Sequence, residues 1–224
     1  MNYRILFFTI CIFFTAIVFY KVTHAFFTSN QVISGNTITT ASISPTPSAS
    51  PTPLPARIVI NEVYYRVDQN HRIGSEAGSE WAELYNGGGS SITFAAISLE
   101  DNTSCDNLAG PITIPAGEFV IVSSHTETEF RAVWTTVPTG TIFVTSPSAV
   151  GNGLANSDEL MLRNGTCTSG TIIDHISWGS NTAGLNPSIP SVPSDGISSE
   201  RNPDGTDTDT NADFINNEPP TPGS

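Results

Sequence analysis

The chain has 224 residues, a formal net charge of −13 and only eight lysines and arginines. All 21 acidic residues follow residue 56, where they meet six arginines, so residues 57–224 carry a net charge of −15. This charge excludes a nucleic-acid partner, because binding to phosphates depends on cationic side chains that neutralise them. The 18 glycines and 16 prolines favour an all-β class over a helical one.

The N-terminus carries a hydrophobic targeting segment. Residues 5–20 are uncharged and rich in Phe and Ile, and they lie between Arg4 and Lys21. This length lies between those typical of a signal-peptide core and of a membrane-spanning helix. The small residue Ala25 completes a possible cleavage site. Residues 1–25 are therefore a signal peptide or an uncleaved membrane anchor, and both alternatives place the rest of the chain outside the cytoplasm, secreted or membrane-anchored.

A linker follows the targeting segment. Residues 26–56 are polar, and five prolines lie between Pro45 and Pro55. Proline fixes φ and removes a backbone donor, so this stretch is predicted to be a disordered, extended spacer without a core. Its Ser/Thr/Pro composition is also typical of stalks that carry O-linked glycans.

Residues 57–224 are predicted to form one all-β domain. Short segments rich in β-branched and aromatic residues alternate with turn formers, which is typical of a β-sandwich. The predicted strands are residues 58–65, 80–86, 92–99, 118–122, 142–144, 159–162, 172–178 and 198–201. Residues 127–134 are predicted to form a short helix. Tyr64, Tyr65 and Trp178 are either core residues or, if exposed, a binding face.

Two cysteines, Cys105 and Cys167, lie in polar, turn-like stretches of this domain. In an oxidising compartment they could form a disulfide, although two free thiols are the alternative. The bond would close a loop of about 63 residues and stabilise the fold by roughly 4 kcal/mol in the chain-entropy model. Without a CxxC pair, a zinc site is not indicated.

The order of these segments resembles the lamin tail domain family, in the form found in exported bacterial proteins. Ile60-Asn61-Glu62-Val63 and the Glu-Trp-Ala-Glu-Leu-Tyr-Asn run of residues 80–86 resemble its opening strands. Further similar segments follow in the family's order at residues 99–101, 114–122, 154–162, 173–179, 199–201, 213–214 and 220–223. The resemblance implies an immunoglobulin-like β-sandwich, which agrees with the strand count, and a domain without a shared active site.

Acidic residues provide the candidate polar sites. Glu62, Glu80 and Glu83 lie on the first two predicted strands, where carboxylates could act as acid and base or bind calcium. Glu80 and Glu83 are three residues apart and therefore face opposite sides of a strand. We expect Glu62 and Glu83 instead to accept hydrogen bonds from neighbouring loop amides and so to fix the sandwich.

A second acidic run, residues 204–211, resembles a calcium loop in part. Asp207, Asp209 and Asn211 match the first ligand positions of an EF-hand, but Ala212 stands where that motif requires glycine. Calcium is therefore a minor hypothesis beside a structural loop whose side chains cap backbone amides. No cofactor is expected.

The sequence contains no Gly-x-Ser-x-Gly, phosphate-loop or His-Glu-x-x-His motif, and Asp174 next to His175 is expected to be a strand pair, not a catalytic dyad. We therefore expect a non-catalytic extracytoplasmic interaction module that binds a protein or glycan of the cell surface. A self-associating structural component of the cell envelope is the alternative, and an unrecognised hydrolase is a third hypothesis.

Overall fold

A computed structural model describes residues 57–224. The targeting segment at residues 5–20, the cleavage site after Ala25 and the linker at residues 26–56 lie outside the described residues, so those assignments stay predictions. Within residues 57–224, no helix is both long and apolar enough to span a membrane.

The described part of the chain is predominantly β, with short helices between strands. The strands are β1 Ile58–Tyr64, β2 Trp81–Asn86, β3 Ile92–Phe94, β4 Ile97–Glu100, β5 Cys105–Leu108, β6 Ile112–Ile114, β7 Phe119–Ser123, β8 Ile142–Thr145, β9 Asp158–Asn164, β10 Thr171–Trp178, β11 Ser198–Arg201 and β12 Phe214–Asn217. The α-helices are α1 Glu76–Ser79 and α2 Glu127–Val133, and the 3-10 turns are Val150–Asn152 and Asn211–Asp213.

The strands form three sheets. A six-stranded sheet has the order β12-β11-β1-β2-β7-β8, and a four-stranded sheet has the order β10-β9-β4-β5. Strands β3 and β6 form a separate pair. All of these pairings are antiparallel except that between β7 and β8, which is parallel. The all-β prediction is confirmed, and the arrangement is consistent with an immunoglobulin-like sandwich.

One main hydrophobic core joins the sheets. Leu84 from the six-stranded sheet, Leu160 from the four-stranded sheet and Ile114 from the two-stranded sheet are all buried in it. Fully burying one such side chain contributes about 1.5–3 kcal/mol. Tyr65 and Trp178 stack in this core with ring centroids 4.9 Å apart.

A smaller aromatic cluster covers part of the opposite face of the six-stranded sheet. Tyr64 stacks on Trp81, and Trp134, which follows α2, meets both rings edge-on. Because Tyr64, Tyr65 and Trp178 are at most 2% exposed, the alternative that they form a binding face is wrong.

Local sequence signals explain where some elements begin and end. Helix α2 confirms the helix predicted at residues 127–134, and it starts with a capping box. There the side chain of Thr126 accepts the N–H of Glu129, and the carboxylate of Glu129 accepts the N–H of Thr126. The single strand predicted at residues 92–99 is wrong, because β3 and β4 join different sheets on either side of Ala95 and Ala96.

Candidate functional site

Nearly half of the acidic residues are inside the protein. Ten of the 21 are buried, and they are Glu62, Glu80, Glu83, Asp101, Asp106, Asp158, Glu159, Asp174, Glu200 and Asp213. A buried carboxylate without partners is costly, so each of them needs hydrogen bonds, an ion pair or a proton. The strongly negative formal charge is therefore only partly a property of the surface.

Three of these carboxyls lie side by side across neighbouring strands. Glu62 of β1 stands directly opposite Glu83 of β2 and opposite Glu200 of β11. We call these three residues the glutamate row. The adjacent Val63 and Ala82 point into the main core, so the row lies on the other face of the sheet. Like charges directly opposite each other destabilise a sheet, so the row requires compensation.

Hydrogen-bond donors from residues 218–224, which we call the C-terminal segment, provide part of that compensation. The N–H of Thr221 donates to Glu62 Oε1 at 3.2 Å, and the N–H of Gly223 donates to Glu83 Oε2 at 2.5 Å. The hydroxyl of Thr221 donates to Glu200 Oε1 at 3.1 Å. The prediction that Glu62 and Glu83 accept hydrogen bonds from loop amides is confirmed, and the loop they hold is the C-terminal segment.

Proton binding by Glu62 and Glu83 also reduces the repulsion within the glutamate row. Burial raises the pKa of Glu62 to about 8, with a hydrogen bond from Ser198 opposing the rise and the charge of Glu200 adding to it. Burial, followed by the charge of Glu62, raises the pKa of Glu83 well above its ordinary value. Burial also raises the pKa of Glu200. The raised pKa values of Glu62 and Glu83 favour their protonated forms, in which these two carboxyls repel neither each other nor the carboxylate of Glu200.

Replacing Glu62 with glutamine is expected to flatten the dependence of stability on pH. The carboxyl has an ordinary pKa of 4.5 and a folded-state pKa of about 8, so the folded protein binds the proton more tightly. This contribution is complete below about pH 4.5 and is lost as the pH rises towards 8. The free energy of unfolding should fall by on the order of a few kcal/mol across that window in the wild type.

Urea unfolding at several pH values across this window measures the effect. Glu62→Gln should lose less stability than the wild type, because its amide stays neutral throughout. The exposed Glu118 provides a matched control, and Glu118→Gln should keep the wild-type slope. Equal slopes for Glu62→Gln and the wild type would show that Glu62 does not carry the proton.

Other buried acids hold the loop between β8 and β9. Glu80 Oε2 accepts the N–H of Leu154 at 2.7 Å, and Asp106 Oδ2 accepts the N–H of Gly151 at 2.9 Å. Burial raises the pKa of Glu80 to about 8. Glu80 and Glu83 thus serve different loops, as their opposite orientation on the strand predicts, and they do not form an acid–base pair.

Arg201 is the centre of a buried ion-pair cluster. Its guanidinium lies 3.2 Å from Asp174 Oδ2 and 3.4 Å from Asp213 Oδ2, with the side chains of all three at most 5% exposed. Its Nε donates to the carbonyl of Ile60 at 2.9 Å. Asp174 also accepts the N–H of Ile60, so this cluster ties β10 to β1 and β11. Sequence reasoning assigned Arg201 and Asp213 no role in a site, although Arg201 is the only lysine or arginine after Arg163.

The acidic run after β11, residues 204–211, also contacts Arg201. Asp207 Oδ1 lies 3.3 Å from Arg201 Nη1, and the side chain of Asn211 donates to the carbonyl of Ser188 at 3.1 Å. Asp209 is exposed with a φ of 57°. In the part of the chain that the structure describes, no group of three or more His, Cys, Asp or Glu could hold a metal ion. Calcium binding stays a prediction, and the side chains of Asp207 and Asn211 are already engaged by structural partners.

The residues considered for a dyad also have structural partners. The Nε2 of His175 lies 2.7 Å from Glu159 Oε2, a cross-strand neighbour on β9. The carboxylate of Asp174 is engaged by Arg201 and the N–H of Ile60, and it meets His175 only through the backbone N–H of that residue. This arrangement makes Asp174 and His175 the strand pair that the sequence predicts.

A disulfide holds the four-stranded sheet at one end. Cys105 of β5 is bonded to Cys167 in the β9–β10 hairpin, with Cα atoms 5.8 Å apart and a sequence separation of 62. The bond links one edge strand of this sheet, β5, to the hairpin that leads to the other, β10. A hydrogen bond accompanies the disulfide, because the N–H of Cys167 donates to the side chain of Asn107 on β5 at 2.9 Å.

Comparison with known proteins supplies the family. No curated protein matches the chain. A family model described as Lamin Tail Domain matches residues 51–180, which include β1 to β10. Strands β11 and β12 follow the matched residues but belong to the same sheet as β1, so the fold extends further than the match. Because the match covers more than half of its residues, the chain belongs to the lamin tail domain family.

Proposed function

We propose that this protein is a non-catalytic interaction module that acts outside the cytoplasm, displayed on the cell surface or released from it. The observation that carries this proposal is that the buried acids and Arg201 have structural hydrogen-bond or ion-pair partners within the fold. The glutamate row, Glu80 and the Arg201 cluster bind backbone groups, neighbouring hydroxyls or one another. The family is an immunoglobulin-like domain family and is not a known enzyme family.

The extracytoplasmic location is supported by three features along the chain. Residues 5–20 have the composition of a targeting segment, and residues 26–56 have that of a spacer. The bond between Cys105 and Cys167 is of a kind that persists in oxidising compartments. Together these features describe a domain held away from a membrane or released from it, where its partner is a protein or glycan of the cell surface.

Protease treatment of intact cells tests the display. We expect externally added protease to remove the spacer and domain from whole cells while a cytoplasmic control protein survives. Deleting residues 5–20 should abolish this sensitivity and leave the chain inside. Recovery of full-length protein from the culture medium would instead indicate cleavage after Ala25. Protection of the wild-type chain in intact cells would contradict the proposal.

Self-association in the cell envelope is the second candidate. Ile172 and Ile173 are 48% and 38% exposed near the start of β10, an edge strand of the four-stranded sheet. No charged residue lies between Asn164 and Ile173, so two acidic chains could approach here without strong repulsion. The two roles differ in the mass of the assembly, which light scattering of the full chain measures. An unrecognised hydrolase has less support than either role.

A further inference from the structure

Strand β12 is an open edge of the six-stranded sheet. Among the strands of residues 57–224, only β11 pairs with it. The carbonyl of Asp213 accepts the N–H of Asn202, so Ile215 and Asn217, at the same parity, also direct their backbone groups towards β11. Asn216 therefore directs its N–H and C=O to the free side. An extended peptide could pair with these groups.

A cleft of about 440 Å³ lies beside this edge. It is lined by residues of β11, β12, the segment after β11 and the C-terminal segment, among them Glu200, Asp204, Ile215, Asn217 and Thr221. Ile215 is 43% exposed, and it stands directly opposite Glu200. The cleft therefore combines an apolar side chain at the sheet edge with carboxylates behind it.

The exposed charges around the cleft are mostly negative. Asp204, Asp209 and Glu218, from the segments on either side of β12, are exposed carboxylates. Arg201 lines the cleft, but it is 2% exposed and already bound to buried acids. The exposed Arg57 is engaged by the carbonyl of Gly205. A ligand with positive charge would therefore be attracted to this edge, and an acidic one would be repelled.

We propose that β12 accepts an extended basic peptide segment of a partner protein as a seventh strand of the sheet. A lysine or arginine of that segment, opposite Ile215, would lay its aliphatic stem on the isoleucine and place its charged end near Glu200 and Asp204. Neighbouring strands are about 4.8 Å apart, so Glu200 is two strand spacings from the added residue, within reach of two long side chains that extend towards each other. This inference rests on the proposed interaction role and names the surface that performs it.

Fluorescence anisotropy of labelled peptides tests the inference on the full chain. The probe is a capped octapeptide of alternating valine and arginine, and its control replaces each arginine with glutamate. We expect the arginine peptide to bind in the micromolar range and the glutamate peptide at least about tenfold more weakly. Equal affinities for the two peptides would overturn the inference.

Two variants separate strand addition from general attraction to an acidic surface. Asn216→Pro removes the outward N–H without changing any charge, and an edge position with its N–H on the free side tolerates proline. Binding should weaken about tenfold or more, with an unchanged melting temperature. If this variant is destabilised, Ile215→Thr serves instead, with Ile172→Thr on the other sheet as its matched control.

The outcomes distinguish this inference from the proposed function. Binding lost in Asn216→Pro or Ile215→Thr and kept in Ile172→Thr supports strand addition at β12. Unchanged binding in both edge variants overturns it, as does pairing of β12 with a second copy of the chain. Either of those results leaves extracellular display untouched, because protease treatment of intact cells tests display independently.

Discussion

Replacing Arg201 with methionine is expected to lower the free energy of unfolding by about 3–5 kcal/mol. Methionine keeps an unbranched apolar side chain but leaves Asp174 and Asp213 buried without their cation. Burial already raises the pKa of Asp174, and the charge of Arg201 opposes that rise. The variant also loses the hydrogen bond to the carbonyl of Ile60 and the contact of the guanidinium over the ring of Phe214, 4.6 Å from its centroid.

Chemical denaturation of both proteins at neutral pH measures this loss. Arg66 provides the matched control, because it also pairs with an aspartate, Asp195, but at the surface, with side chains 28% and 59% exposed. Arg66→Met should cost less than about 1 kcal/mol. Arg201→Lys should recover only part of the stability, since an ammonium cannot reproduce the planar set of donors. A loss below about 1 kcal/mol in Arg201→Met would mean that the cluster does not hold the sheets together.

The parts of the fold that the sequence predicts well are those with strong local patterns. Strand β2 carries the Trp-Ala-Glu-Leu-Tyr-Asn run that ends before three glycines, and the structure places it at Trp81–Asn86. Helix α2 follows its capping signal at Thr126 and Glu129. In both cases the information that fixes the element lies within a few residues of it.

Elements determined by distant partners are less apparent from the sequence. Strand β5, with the sequence Cys-Asp-Asn-Leu, has little β propensity, and its pairing with β4 and its disulfide are what define it. A regular strand at β10 would place Ile172 with Asp174 and Ile176 on one face. A register shift between Ile172 and Asp174 breaks that alternation, which leaves Ile172 exposed and the other two residues buried.

The glutamate row could be predicted only in part. The sequence indicates that Glu62 and Glu83 hold loop amides, because carboxylates on a strand of a compact domain need donors. It does not indicate that Glu200, more than one hundred residues away, completes the row, since strand register follows from the whole sheet. Opposed glutamates also contradict the usual preference for unlike charges across strands, and burial with proton binding resolves that conflict.

Replacing Cys105 and Cys167 together with alanine is expected to lower the free energy of unfolding by about 4 kcal/mol. The bonded cysteines are 62 residues apart in sequence number, and a cross-link over such a loop removes many conformations from the unfolded chain. The four-stranded sheet would also lose the covalent link between β5 and the β9–β10 hairpin. A contact that remains between them is the exposed hydrogen bond that the N–H of Cys167 donates to the side chain of Asn107.

Denaturation of the oxidised protein, the reduced protein and the double variant separates the cross-link from the side chains. The reduced wild type keeps both cysteine side chains. Its unfolding midpoint should therefore lie close to that of the double variant and at a clearly lower denaturant concentration than that of the oxidised form. Thiol titration of the unfolded chain should find one reactive group, Cys11, before reduction and three after it. Three thiols before reduction would contradict the bond itself. Equal stability of the oxidised and reduced forms would show that β5 and the hairpin remain in place through their hydrogen bonds alone.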